Sequence, residues 1–135
     1  MKILKENPPN LEEILDSGMR PHQFVVYTYG DTLYNPSGVD IPDHLMCHEE
    51  THTVQQGADP DAWWKRYMFD PLFRVAQEAE AYARQYDFIC HSVRDRNQRN
   101  RILIDLSRSL ASPIYGHVLT PSASYTLIKG KIKTK

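Results

Sequence analysis

The stretch DHLMCHEETHTVQQG, residues 43–57, decides how the rest of the chain is read. Asp43 is a candidate N-cap, Gly57 a candidate stop, and neither Pro nor Gly lies between them, so the segment is expected to be helical. Inside it stands His48-Glu49-Glu50-Thr51-His52. On a helix, residues four apart lie one turn apart on the same face, so the two imidazoles can grip one metal ion. Glu49 lies beside that face, where its carboxylate can poise a water molecule. Two nitrogen ligands, a nearby base and an open coordination position are what metal-assisted hydrolysis requires.

Such a site needs a third protein ligand. The three-histidine version of the motif would place Gly and His where this chain has Gln55 and Ala58. The version with a thiolate well upstream has no cysteine there to use. A carboxylate from a later helix remains. Asp70-Pro71 opens a helical segment running to about Cys90. At about 100° per residue, Val75, Ala79, Tyr82, Tyr86 and Ile89 share one apolar face. Glu78 falls within that arc, whereas Glu80 falls on the polar side with Arg84 and Asp87. A carboxylate on an apolar face is costly unless it meets a cation or a metal. Glu78 is therefore the expected third ligand, and Glu80 a solvated residue. The competing expectation for Glu78 is an ion pair with Arg74, one turn earlier. Cys90 also lies near the inner arc and reads as a buried structural thiol.

Upstream of residue 43 the pattern is extended rather than helical. Asn10 is expected to cap a short helix, Leu11–Asp16, with Glu13 at the capping-box position and Ser17-Gly18 as its end. The β-branched and aromatic run from Gln23 to Tyr29 turns at Gly30-Asp31 and returns over Thr32–Tyr34 as a β-hairpin. A third strand is not placed. Downstream, Asp59-Pro60-Asp61 starts a helix carrying Trp63, Trp64 and Tyr67, which could line a substrate groove but read first as core or cover. Another helix spans about Asn97–Ala111 with Ile102, Leu103, Leu106 and Leu110 as its apolar stripe. Ser112-Pro113 breaks it, Tyr115–His117 is a loop, and a short helix covers Ser122–Ile128. No internal repeat or linker appears. The expected fold is mainly helical α+β, one domain over residues 1–128, with KGKIKTK (129–135) a basic, flexible, solvated tail.

With 135 residues the chain is long enough for one core. Hydrophobic residues at 41% and charged residues at 24% exclude wholesale disorder. Cys47 and Cys90 cannot make a disulfide framework and fit a reducing compartment. No apolar run approaches the roughly 20 residues that cross a bilayer, and the polar start lacks a signal-peptide core. A cytoplasmic protein is expected. Net charge is −1, yet residues 1–128 hold 12 basic against 17 acidic side chains. Arg94, Arg96, Arg99 and Arg101 could contact phosphate, but interleaved with Asn and Gln they read as a solvated face, so a small nucleic-acid binder using this run and the Lys tail is the least favoured function and no membrane partner is expected.

His48-Glu49-x-x-His52 followed by Glu78-x-x-Ala81 resembles the gluzincin-type metallopeptidases. With its Thr53-Val54-Gln55-Gln56 continuation, the chain is similar to small predicted peptidases of that kind from phages and bacteria. The likeness covers roughly residues 24–90. It implies a zincin-like fold with a small sheet beside the active-site helix. It also implies one zinc ion per chain on His48, His52 and Glu78, Glu49 as the catalytic base, and a polypeptide substrate. Virion association is compatible with the phage relatives. The chain departs from the family in Glu50, where an uncharged residue is usual, and in Tyr82, where relatives place an acid. Tyr115 and His117 are candidate donors to the developing oxyanion; the competing reading makes them surface loop residues. His44, one turn before His48, either supports a ligand or simply starts the helix. With no large substrate domain, the cleft is expected to be shallow and open. The alternative function is a non-catalytic, metal-stabilised binding module, which would have no use for Glu49.

Overall fold

The computed structural model describes residues 1–134. The described residues form three short strands and six α-helices. In chain order these are β1 (Lys2–Leu4), α1 (Leu11–Asp16), β2 (Tyr27–Tyr29), β3 (Thr32–Tyr34), α2 (Asp43–Gln56), α3 (Pro60–Phe69), α4 (Pro71–Cys90), α5 (Arg96–Leu110) and α6 (Pro121–Lys129). A single 3-10 turn, Pro113–Tyr115, joins α5 towards α6.

The expected hairpin is present, β2 pairing antiparallel with β3 from Tyr27↔Tyr34 to Tyr29↔Thr32. Pairing stops there because β3 is only three residues long, so the expected strand from residue 23 shortens and Phe24 lies exposed. The unplaced third strand is β1, which runs parallel to β3 and puts β3 in the centre of the sheet. Two expected caps fail. Asn10 makes no side-chain cap bond, and both polar atoms of its buried amide lack partners. At α2 the N-cap is Pro42, in extended conformation, so Asp43 instead lies in the first turn, where its charge suits the helix dipole. Asp59, Asp70, Asp95 and Thr120 each cap the helix that follows.

Two apolar clusters flank the middle of the chain. Ile14, Tyr27, Trp63, Trp64, Tyr67 and Met68 form one. Side chains of α4, α5 and α6, among them Val75, Tyr82, Leu103, Leu110 and Ile128, form the other. Trp63, Trp64 and Tyr67 are thus core, as expected. The basic tail, expected to be free, is tied down over its described residues. The Arg84 guanidinium donates to the Lys131 carbonyl, the amides of Lys133 and Thr134 donate to the Asp87 carboxylate, and Ile132 packs on the second cluster. Among the described residues no helix is long and apolar enough to cross a membrane.

Candidate metal centre

α2 buries His48, Glu49, His52 and Gln56, four polar side chains, while its Val54 is 81% exposed. Burying polar groups is unfavourable unless each finds a partner. Each does. The Gln56 amide accepts from the Gly30 N–H at 2.7 Å and donates to the Thr28 carbonyl at 2.7 Å, clamping the end of α2 to the hairpin. The Thr28 hydroxyl donates to Glu49 Oε2 at 2.7 Å. The two histidines meet α4.

Glu78, buried on α4, places Oε1 at 3.0 Å from His48 Nε2 and 3.1 Å from His52 Nε2, and the two Nε2 atoms are 3.2 Å apart. His48, His52 and Glu78 are all buried and each offers one ligand atom to a common point. Zinc–nitrogen and zinc–oxygen bonds of about 2.0–2.1 Å in a tetrahedron separate ligand atoms by about 3.3 Å, close to this triangle. Arg74 does not pair with Glu78. Its guanidinium donates to the carbonyls of Tyr67, Met68 and Tyr115, so the competing ion-pair expectation fails.

The outer nitrogens decide which form the rings take. His48 Nδ1 lies 3.0 Å from Gln85 Oε1, and His52 Nδ1 lies 2.8 Å from Gln55 Oε1. An amide oxygen only accepts, so each Nδ1 carries a proton and each neutral ring turns a bare Nε2 towards the other and towards Glu78. Three lone-pair atoms at about 3 Å repel unless a cation stands among them. Without metal that cation is a proton. Burial alone would lower the His52 pKa, but the adjoining Glu78 carboxylate raises it to about 9. Burial conversely would raise the Glu78 pKa, and His52 with His48 holds it far below the usual carboxylate range. The other Glu78 oxygen accepts from the Tyr67 hydroxyl at 2.5 Å, and burial together with the Glu78 charge keeps that phenol protonated.

No protein-family model matches this chain, and no curated protein or solved structure matches it either.

Glutamines hold both histidines. Gln85 Nε2 lies 2.8 Å from His44 Nδ1, so His44 supports His48 through Gln85. Gln55 donates to the Gln77 carbonyl and to Glu80 Oε1, both at 2.9 Å, so the exposed Glu80 orients Gln55 rather than a metal. Tyr82, in place of an acid, lays its ring edge-on to His48 with centroids 4.5 Å apart. Sequence does not single out Gln85 and Thr28, reads Tyr67 as core, and marks Gln55 only as the position where the three-histidine pattern fails. Two carried a signal: Gln85 is two turns beyond Glu78, and Gln55 is three residues beyond His52.

His48, His52, Glu78 and Glu49 open on a cavity of about 80 Å³ that Tyr115 also lines. Its walls include Met19, Pro21 and Val25 from the segment before β2, and Trp63 of α3. It is small and walled, not the shallow open cleft expected. The Tyr115 hydroxyl is 2.9 Å from that of Tyr82, and burial with the Glu78 charge keeps Tyr115 protonated. His117 is exposed, has a φ of 53°, and is not part of the cavity lining. Of the two candidate donors only Tyr115 comes to the site. Glu50 is exposed on the far side of α2, and Cys90 is core.

Proposed function

We propose that this protein is a zinc-dependent peptidase of zincin-like design, with His48, His52 and Glu78 holding the metal and Glu49 acting as general base. One observation carries the reading: two imidazoles locked by glutamines in the metal-binding tautomer share a buried point with a carboxylate, and a second carboxylate lines the same cavity. A buried structural zinc site would have no need of Glu49.

When bound, zinc supplies Lewis acidity, polarising a carbonyl oxygen and making water acidic enough to react near neutral pH. Glu49 takes the proton from the attacking water and returns it to the amine that leaves as the C–N bond breaks. The Thr28 hydroxyl holds Oε2 of Glu49 and leaves Oε1 for that proton. Tyr115 keeps its proton and donates a hydrogen bond to the oxyanion developing on the carbonyl. Tyr67 holds Glu78 by one oxygen, so that the other faces the histidines.

Metal analysis and peptide hydrolysis, measured together, test the proposal. Wild type should carry about one zinc per chain and cleave unfolded polypeptide. Glu49→Gln should keep the zinc and lose hydrolysis, Glu78→Ala should lose the zinc, and Glu80→Ala should keep it. Hydrolysis that survives Glu49→Gln removes the proposed base. Zinc-loaded wild type that cleaves no peptide leaves a metal-stabilised binding module.

A further inference from the structure

We propose that the groove between the start of α5 and the end of α6 binds a single strand of nucleic acid through its phosphates. Arg94, Arg96, Arg99 and Lys129 line a groove of about 800 Å³ together with Asn100 and Tyr125, and among the described residues no carboxylate side chain lines it. The sequence separates Lys129 from the three arginines by 30 residues or more; the packing of α6 on α5 brings them together.

The groove is built rather than incidental. Arg99 is anchored by donating to the carbonyls of Val93 and Cys90 at 2.5 and 3.0 Å. Lys129 Nζ sits 5.7 Å from the centre of the Tyr125 ring, and the Tyr125 hydroxyl donates to Asn100 Oδ1 at 2.8 Å. Among the described residues no ion pair engages Arg94, Arg96 or Lys129. The docked tail closes one side, with Ile132 and Thr134 in the lining. Asp95, the acid nearest in sequence, is used in capping α5 through the Gln98 N–H.

Charge is divided along the chain. Residues 94–135 hold nine basic and two acidic side chains; residues 1–93 hold seven and fifteen. Arginines in the first turn of α5 oppose its dipole, and crowding many cations with few acids adds self-repulsion. Fold stability explains neither feature, whereas a bound polyanion offsets both. Several considerations favour a nucleic-acid strand over an acidic peptide. The arginine fork matches phosphate in two hydrogen bonds. The groove exceeds a single phosphate in volume, and a tyrosine ring and the amides of Asn97 and Asn100 stand beside the cations, as base contacts require. The metal centre uses the α2-facing side of α4, while Tyr86 of α4 lines this groove, so the proposal does not depend on the peptidase reading.

Fluorescence anisotropy of a labelled oligothymidylate, titrated with the purified chain at several salt concentrations, tests it. Affinity should fall with salt, with a log–log slope of about 0.7 for each phosphate neutralised and hence roughly 2 for Arg94, Arg96 and Lys129. The double variant Arg96→Glu, Lys129→Glu changes two exposed side chains. It should keep its circular dichroism and zinc content yet bind at least about tenfold more weakly with a shallower slope. Poly-glutamate of equal charge should compete poorly. No binding at low salt overturns the proposal, as does unchanged affinity in the double variant. Equal competition by poly-glutamate overturns it in favour of an acidic polypeptide.

Discussion

Replacing Gln85 by Leu removes the acceptor that fixes the tautomer of His48 while keeping a side chain of similar bulk in a site only 5% exposed. The Nδ1–H of His48 then has no partner at 3.0 Å, and His44 loses its contact at 2.8 Å. A buried donor left unsatisfied costs about 1–3 kcal/mol. That cost falls unevenly. The metal-bound state requires a bare Nε2, so the proton must stay on the orphaned Nδ1. The metal-free state escapes by moving the proton to Nε2, where Glu78 Oε1 accepts it. The penalty therefore appears as lost metal affinity, roughly 10- to 100-fold at about 1.4 kcal/mol per decade, with a smaller loss of stability in the metal-free fold. Gln85→Glu keeps an oxygen acceptor and should bind zinc within a few-fold of wild type. Competition against a chromophoric chelator reads the affinity, and denaturant titration of the metal-free protein reads the fold. A folded Gln85→Leu protein with unchanged affinity, or Leu and Glu variants equally weakened, would refute the tautomer argument.

Three other expectations follow from the same geometry. With the His52 pKa raised to about 9, zinc binding near pH 7 should release about one proton, and affinity should climb with pH and level off near 9. Calorimetry in buffers of different ionisation heat counts that proton, and a count of zero contradicts the assignment. The signs for metal-free stability run in opposite senses for the two partners. The raised His52 pKa stabilises the fold fully below its ordinary value of 6.5, a contribution lost as pH rises through about 9. The lowered Glu78 pKa contributes above its ordinary value of 4.5, a contribution lost as pH falls. Gln56→Leu cuts the two 2.7 Å bonds that clamp α2 to the hairpin and should cost about 1–3 kcal/mol in denaturant titration. An unaltered unfolding midpoint would show that the clamp is redundant.

What could be read from sequence was what local chemistry repeats. Asp59-Pro60 and Asp70-Pro71 each combine a capping carboxylate with a ring that suits the first helical position, so α3 and α4 begin where expected. Glu78 stood out because it is the wrong residue on an apolar face. The features that escaped depend on partners far along the chain. β1 is three residues, mostly exposed, with no alternation to betray it, and only its pairing with β3 makes it a strand. The tail looked free because its anchors, Arg84 and Asp87, lie more than forty residues away. Tyr115 and His117 were equivalent by sequence, and the 3-10 turn separates them by ending at Tyr115.

α2 is the element where the ordinary logic of helix burial is reversed. Its inward residues are the polar ones, so hydrophobic periodicity, which finds α4 and α5, is silent there. The groups that would hold a metal are the same groups that hold α2 to the rest of the molecule: His48 and His52 to α4, Glu49 and Gln56 to the hairpin. A network of this kind is more vulnerable than hydrocarbon packing, because removing one member leaves another buried and unpaired. A metal that binds only the assembled triangle shifts folding towards that state by mass action. The residues carrying the motif therefore bear a double constraint. That is why a four-residue spacing between histidines locates both the proposed chemistry and the seam on which the two apolar clusters meet, His52 against Trp63 on one side and His48 against Tyr82 on the other.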